Sequence, residues 1–173
     1  MGLKVRNRTL PEGTNVWAPT TLISTWFGVG LIGAAPGTWG SAFAVPLGIL
    51  LLYVGGPVLT LVVAVVIFFA GLYASHKLIA SFPEGSDTDN SAIVVDEVAG
   101  QLIAIAPALF SPPLWIASFL LFRFFDVSKL GPTGWLERRL KGAMGVMVDD
   151  VSAGIMAALC VWGLSALGLG NVW

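Results

Sequence analysis

Residues 58–78 read VLTLVVAVVIFFAGLYASHKL, apolar or small at nearly every position until His76 and Lys77. A run of about 20 such residues spans the hydrocarbon core of a bilayer as a helix. Outward from it the pattern repeats. No charged residue stands between Glu12 and Lys77, from Val98 to Phe122, or from Val151 to Trp173. Of the 173 residues 56% are hydrophobic and 11% charged, with a mean hydropathy of +0.85. A water-facing domain carries roughly 25% charge. The apolar runs are therefore expected to be membrane spans, and strand alternation is absent.

The fold predicted is an all-α, polytopic membrane helical bundle of about five helices, the fourth of them short unless Lys129 and the residues after it extend it. They are expected at 42–54, 58–78, 92–109, 114–127 and 149–169, with turns at Gly55-Gly56-Pro57 and Ser111-Pro112-Pro113. Residues 21–35 are rich in Gly and Thr, which predicts an interfacial or re-entrant segment ending in a loop, Ala35 to Ser41. Residues 1–20 are expected to form a cytoplasmic tail, without a signal peptide, and 21–173 a single membrane-embedded domain. Cys160 lies in an apolar run and is expected to be a small buried residue. A net charge of −1 gives no reason to expect a nucleic-acid partner, and no obligate protein partner is implied.

Threading the helices from a cytoplasmic N-terminus puts Lys4, Arg6, Arg8, Lys77, Lys129, Arg138, Arg139 and Lys141 on one side. The turns on the other side carry no charge. By the positive-inside rule the basic side faces the cytoplasm. The polar residues collect at the same end: Asp96 and Glu97 opening the third helix, Arg123 and Asp126 closing the fourth, Asp149 and Asp150 opening the fifth. Charged groups at the edge of a bilayer are costly unless paired, solvated or bound to metal. Any one acid can be a solvated helix start. Two adjacent like-charged pairs, however, call for a cation between them. Carboxylates with water suit Mg²⁺ or Mn²⁺, and the lack of a Cys/His cluster argues against zinc. Arg123 and Lys129 suit a phosphate. Metal, cations and position together point to a phosphorylated lipid headgroup. Backbone amides after Pro36 are a further phosphate-cradle candidate, with an ordinary turn as the plain alternative. Trp17, Trp26 and Trp39 fit an interfacial aromatic belt. The lone His76 supports no nucleophile system.

Four stretches occur in order: Pro36-Gly37-Thr38-Trp39-Gly40-Ser41; Ile93-Val94-Val95-Asp96-Glu97-Val98-Ala99-Gly100; Phe122-Arg123-Phe124-Phe125-Asp126-Val127-Ser128-Lys129; and Met144-Gly145-Val146-Met147-Val148-Asp149-Asp150-Val151-Ser152-Ala153-Gly154. Together they closely resemble the phosphatidylglycerophosphatase A family. The resemblance implies a Mg²⁺-dependent enzyme of the bacterial inner membrane with its active site facing the cytoplasm. Its reaction would convert phosphatidylglycerophosphate to phosphatidylglycerol and inorganic phosphate. It also implies acidic site positions at Asp89, Asp96, Glu97, Asp126, Asp149 and Asp150, and cations at Arg123 and Lys129. The working assignment gives the metal to Asp96, Glu97, Asp149, Asp150 and Asp89, and catalytic roles to Asp126, Asp150 and Asp96. Phosphate would be held by Arg123 and Lys129, with Thr38, Ser41 and Gly37 assisting. Lys129 is followed by Leu130-Gly131-Pro132 where the family has Lys-Pro-x-Pro-Ile, a departure that removes no charged candidate. The main alternative is a small carrier whose carboxylates bind protons or cations, which would place acids near the bilayer midplane. A scaffold with simply paired charges is the third class.

Overall fold

Gly56 decides how the longest apolar stretch folds. The computed structural model describes residues 10–83, 90–130 and 142–169. Within it, one helical element, α2, covers Pro36–Ala80, but Gly56 has φ 68° and ψ −164°, outside helical space. A left-handed φ of this kind is open to glycine at little cost. Straight, 45 residues would reach about 68 Å. Instead the chain doubles back, because Ala44 and Ala64 share one core cluster with Val98 and Leu102. The arms 36–55 and 57–80 thus form a helical hairpin, with the expected turn at Gly55-Gly56-Pro57.

The hairpin wraps a central helix, α3, at Val95–Ile105, extended by a short 3-10 turn at Ala106–Ala108. All but one of the α3 residues are buried. Gly40 lies against Val94 and Gly48 against Leu102 and Ile105, so the first arm runs alongside α3 in the same direction. Gly71 lies against Val95, so the second arm runs the opposite way. Helix α4, Pro112–Ser128, buries Ser118, Phe122 and Asp126, one residue per turn on a single face. Helix α5, Gly142–Ala166, buries Ala143, Met147, Asp150, Gly154, Ala157 and Val161, a stripe spaced alternately three and four apart.

Before the hairpin, the short helix α1 at Pro19–Ser24 leads through positive φ at Trp26, Phe27 and Gly28 into a 3-10 turn at Val29–Leu31. This segment does not span. It folds against the bundle: the Val94 N–H donates to the Ser24 carbonyl at 2.9 Å, and Gly30 sits so close to the Ala92 carbonyl that no Cβ fits between them.

The outside of the bundle is apolar. Leu50, Val54, Val58, Phe69, Ile116, Leu120, Phe124, Ile155, Leu159 and Trp162 are all exposed. Pro36–Ala80 and Gly142–Ala166 are each long and apolar enough to cross a bilayer. Exposure of this extent is untenable in water and ordinary against lipid. The architecture is the all-helical membrane bundle expected, with no strand among the described residues.

Three expectations need correction. The Ala35 to Ser41 stretch is not a loop preceding the first span. The helix starts at Pro36, whose fixed φ and missing N–H suit a first helical position. Helix α5 starts at Gly142, so Asp149 and Asp150 lie about two turns inside it. Cys160 is exposed, since in a bilayer the apolar face of a helix turns outward to lipid.

Helices α3 and α5 meet backbone to backbone. A Cβ on Gly100 would meet the Asp150 carbonyl oxygen at 2.6 Å and the Phe122 ring at 2.6 Å, and one on Gly154 would collide with the Gly100 carbonyl. Backbone atoms cannot yield as side-chain tips do. Gly100→Ala is therefore expected to destabilise the fold by about 1–3 kcal/mol. Thermal unfolding in detergent, followed by circular dichroism, checks this; an unchanged midpoint would contradict the packing described.

Candidate metal and phosphate site

Helix α3 begins without a side-chain cap and places Asp96 and Glu97 in its first turn. Free amides and the helix dipole favour carboxylates there. They do not offset the burial of two adjacent charges, however. Asp96 is 3% exposed and Glu97 7%. The α3–α5 contact at Gly100 brings a third carboxylate, Asp150, 4% exposed, into the same space. One oxygen from each of Asp96, Glu97 and Asp150 lies within 4.8 Å of the others. Glu97 Oε2 and Asp150 Oδ2 are buried with no hydrogen-bond donor among the described residues. Like charges at this spacing and burial repel unless a cation joins them. The donor set is all carboxylate oxygen, which suits a hard divalent ion.

Cations gather beside this group at the end of α4. Arg123 Nη1 lies 2.5 Å from Asp126 Oδ2, and Lys129 Nζ lies 3.3 Å from Asp126 Oδ1. Lys129 is the C-cap of α4 in a left-handed conformation, φ 51°, and also pairs closely with Asp149 Oδ2. Burial alone would lower its basicity. The carboxylates of Asp150, Asp126 and Asp149 overcome that and hold the ammonium well above its ordinary range, so Lys129 stays charged.

The first turn of α2 closes the site. Pro36 is buried, and Gly37 packs against both Glu97 and Arg123. A Cβ there would overlap Glu97 Oε1 and come within 3.4 Å of Arg123 Nη1. Ser41 Oγ donates to the Gly37 carbonyl at 2.9 Å and accepts from Arg123 Nη1 at 3.4 Å. Thr38 is half-buried on the same turn. The amides of Thr38 and Trp39 are turned into the helix, donating to the Ala35 carbonyl at 2.9 and 3.3 Å. The backbone cradle expected after Pro36 is therefore closed at these two positions, because the stretch is helix and not loop.

The candidates from the sequence thus divide by geometry. Asp96, Glu97 and Asp150 form one group, and Arg123, Asp126, Lys129 and Asp149 form a chain of ion pairs next to it. Adjacent residues on a helix point about 100° apart, so Asp149 turns to Lys129 while Asp150 turns to α3. Asp89 lies outside the described residues. His76 is exposed and lines an apolar groove of about 780 Å³ with Phe69, Leu72, Tyr73 and Met144, and none of the site carboxylates reaches it. A charge-based reading passes over Gln101, which is wholly buried one turn after Glu97 and hydrogen-bonded to Ser118. The signal was an uncharged polar residue inside an apolar run.

A family model described as Phosphatidylglycerophosphatase A matches residues 22–165. A Haemophilus influenzae protein named Phosphatidylglycerophosphatase A is 37% identical over 147 residues, 84% of this chain and 88% of that protein. An Escherichia coli protein of the same name is 33% identical over 141 residues, 81% and 80% of the two chains. A Bacteroides thetaiotaomicron protein named Putative phosphatidylinositol-3-phosphatase is 38% identical over 151 residues, 81% and 89% of the two chains. No solved structure matches.

Gly37→Ala separates the site from the fold. The atom in the way is the tip of a flexible side chain, so the helix tolerates the methyl group while the Glu97 carboxylate must move. Divalent-cation affinity, read by Mn²⁺ titration with electron paramagnetic resonance, is expected to fall about 10- to 100-fold with helix content unchanged.

Proposed function

The chain belongs to the phosphatidylglycerophosphatase A family, and from that premise we propose that it hydrolyses phosphatidylglycerophosphate to phosphatidylglycerol and inorganic phosphate. The observation that carries this reading is the juxtaposition of three buried carboxylates, Asp96, Glu97 and Asp150, with Arg123 at one end of a membrane bundle. Mg²⁺ is the proposed cofactor. Asp96, Glu97 and Asp150 would hold it, with Asp89 as a further ligand carried over from the family. When bound it supplies Lewis acidity and cancels the negative charge of the pocket.

The protein's own groups account for the rest. Arg123 offers a planar fork and Lys129 a point charge to the oxygens of a phosphate monoester. Ser41, Thr38 and Gly37 form the wall beside them, and the absence of a side chain at Gly37 leaves room at Glu97 and Arg123. Asp126 and Asp149 hold Arg123 and Lys129 in place before substrate arrives. A bound phosphate competes for the same N–H groups and frees an Asp126 oxygen. That oxygen can then accept a proton from the attacking water. A bond forms from water oxygen to phosphorus, the ester P–O bond breaks, and the proton passes to the departing glycerol oxygen. Preorganised cations facing the charge that develops on the phosphoryl oxygens lower the barrier.

We place the enzyme in the bacterial inner membrane, with 21–173 as one phosphatase domain behind a tail of 1–20. The site then faces the cytoplasm, since Lys77 and Lys129 lie toward its end of the bundle and the opposite turns are uncharged. The relative named as a phosphatidylinositol phosphatase supports a second substrate reading within the same chemistry, a phosphate monoester on an inositol lipid headgroup.

Phosphate release by detergent-purified protein tests these readings. With phosphatidylglycerophosphate and Mg²⁺, turnover is expected for the wild type and none with EDTA. Asp150→Asn should lower kcat by about three orders of magnitude or more while the protein still elutes as a folded species. Arg123→Lys, which keeps the charge and loses the fork, should lower kcat/KM about 100-fold. Release from phosphatidylinositol 3-phosphate but not from phosphatidylglycerophosphate would favour the second substrate. No release from either lipid by folded protein with Mg²⁺ or Mn²⁺ would refute the phosphatase.

A further inference from the structure

Gln101 is wholly buried in the apolar middle of α3, one turn beyond Glu97, and charge pairing gives no reason for it to be there. Its amide orientation is fixed by its neighbour. Ser118 Oγ gives its single proton to the Trp115 carbonyl at 2.7 Å, leaving only lone pairs for Gln101. The group facing Ser118 at 3.2 Å must therefore be the Gln101 NH₂ and not the carbonyl oxygen. Gln101 Oε1 is thereby turned away from Ser118 into buried space, where no donor among the described residues meets it. Glu97 Oε2 is in the same condition.

These two acceptors belong together. Residues four apart on a helix are neighbours, with Cβ atoms about 5–6 Å apart. Helical side chains also lean toward the N-terminus, so Gln101 covers the turn that carries Glu97. A single small donor placed between the two turns can satisfy both acceptors. Water does so with two protons, and a buried water with such partners is an ordinary structural element.

We infer that Gln101 is a positioning residue, holding a buried water that donates one proton to Gln101 Oε1 and the other to Glu97 Oε2. The water fixes the rotation of the Glu97 carboxylate and leaves Oε1, the oxygen nearest Gly37, directed toward the cation site. Ser118 fixes Gln101 in turn. The inference rests on the reading that Asp96, Glu97 and Asp150 hold a divalent cation. It extends that site one turn deeper into the bundle.

Mn²⁺ titration of the wild type, Gln101→Met and Ser118→Ala tests it, alongside thermal unfolding of each protein in EDTA. Methionine has nearly the same shape and no acceptor. It should weaken Mn²⁺ binding about 10-fold or more with only the small fall in the EDTA midpoint that losing one hydrogen bond, Gln101 NH₂ to Ser118, brings. Ser118→Ala frees the amide to turn and should weaken Mn²⁺ binding severalfold. Mn²⁺ affinity of Gln101→Met within about twofold of the wild type would overturn the inference while leaving the cation site intact. A large fall in the EDTA midpoint would also overturn it, by showing that Gln101 serves packing. If Gln101→Met does not fold, unchanged affinity in Ser118→Ala decides against it. Failure of the wild type to bind Mn²⁺ would overturn both the inference and the cation site beneath it.

Discussion

The backbone contact between Gly100 and Gly154 is the constraint on which the rest of this molecule depends. It draws α3 and α5 closer than any side chain permits, and only that approach carries Asp150 to Asp96 and Glu97. Small residues let membrane helices pack closely where no hydrophobic force between them exists. Here the small residues also determine where charge is gathered. A methyl group at either glycine would widen the very gap the carboxylates share.

Within that gap, electrostatics sorts the polar groups into two populations. Arg123, Asp126, Lys129 and Asp149 satisfy one another as a chain of pairs. Glu97 and Asp150 keep buried oxygens without a protein donor. The cost of such groups inside a bilayer is high enough that their presence marks function. The paired chain and the acidic trio adjoin through Gly37 and Arg123, so anything that binds one alters the field at the other.

Much of this was legible in the sequence, because a bilayer imposes a length on every span and a cost on every charge. The hairpin at Gly55-Gly56-Pro57 and the gathering of Asp96, Glu97, Arg123, Asp126 and Asp150 at one end follow from those two rules. Local propensity misled where packing prevailed. The fifth helix, expected from 149, begins at Gly142 instead, with Ala143, Gly145 and Met147 buried within α5. Pro36 looks like a loop residue and begins a helix. Hydropathy alone buried Cys160, which faces outward. The division of labour between Asp149 and Asp150 depends on rotation about α5, which no spacing argument fixes without knowing where that helix begins. Gln101 carries no charge, so charge spacing does not mark it, although a wholly buried amide still needs hydrogen-bond partners.

The site is assembled from pieces far apart in the chain: Gly37 near the start of the hairpin, Asp96 in the middle, Asp150 in the last described helix. During synthesis the hairpin and α3 enter the bilayer before α5 exists. Until α5 docks, Asp96 and Glu97 lack their third partner, and no partial chain presents the three carboxylates together. Capture of the proposed ion and closure of the bundle would then be one event. The free energy of binding adds to that of helix association. The enzyme would become active only once its last described helix has docked, with the proposed ion serving as a clasp between that helix and the middle of the chain.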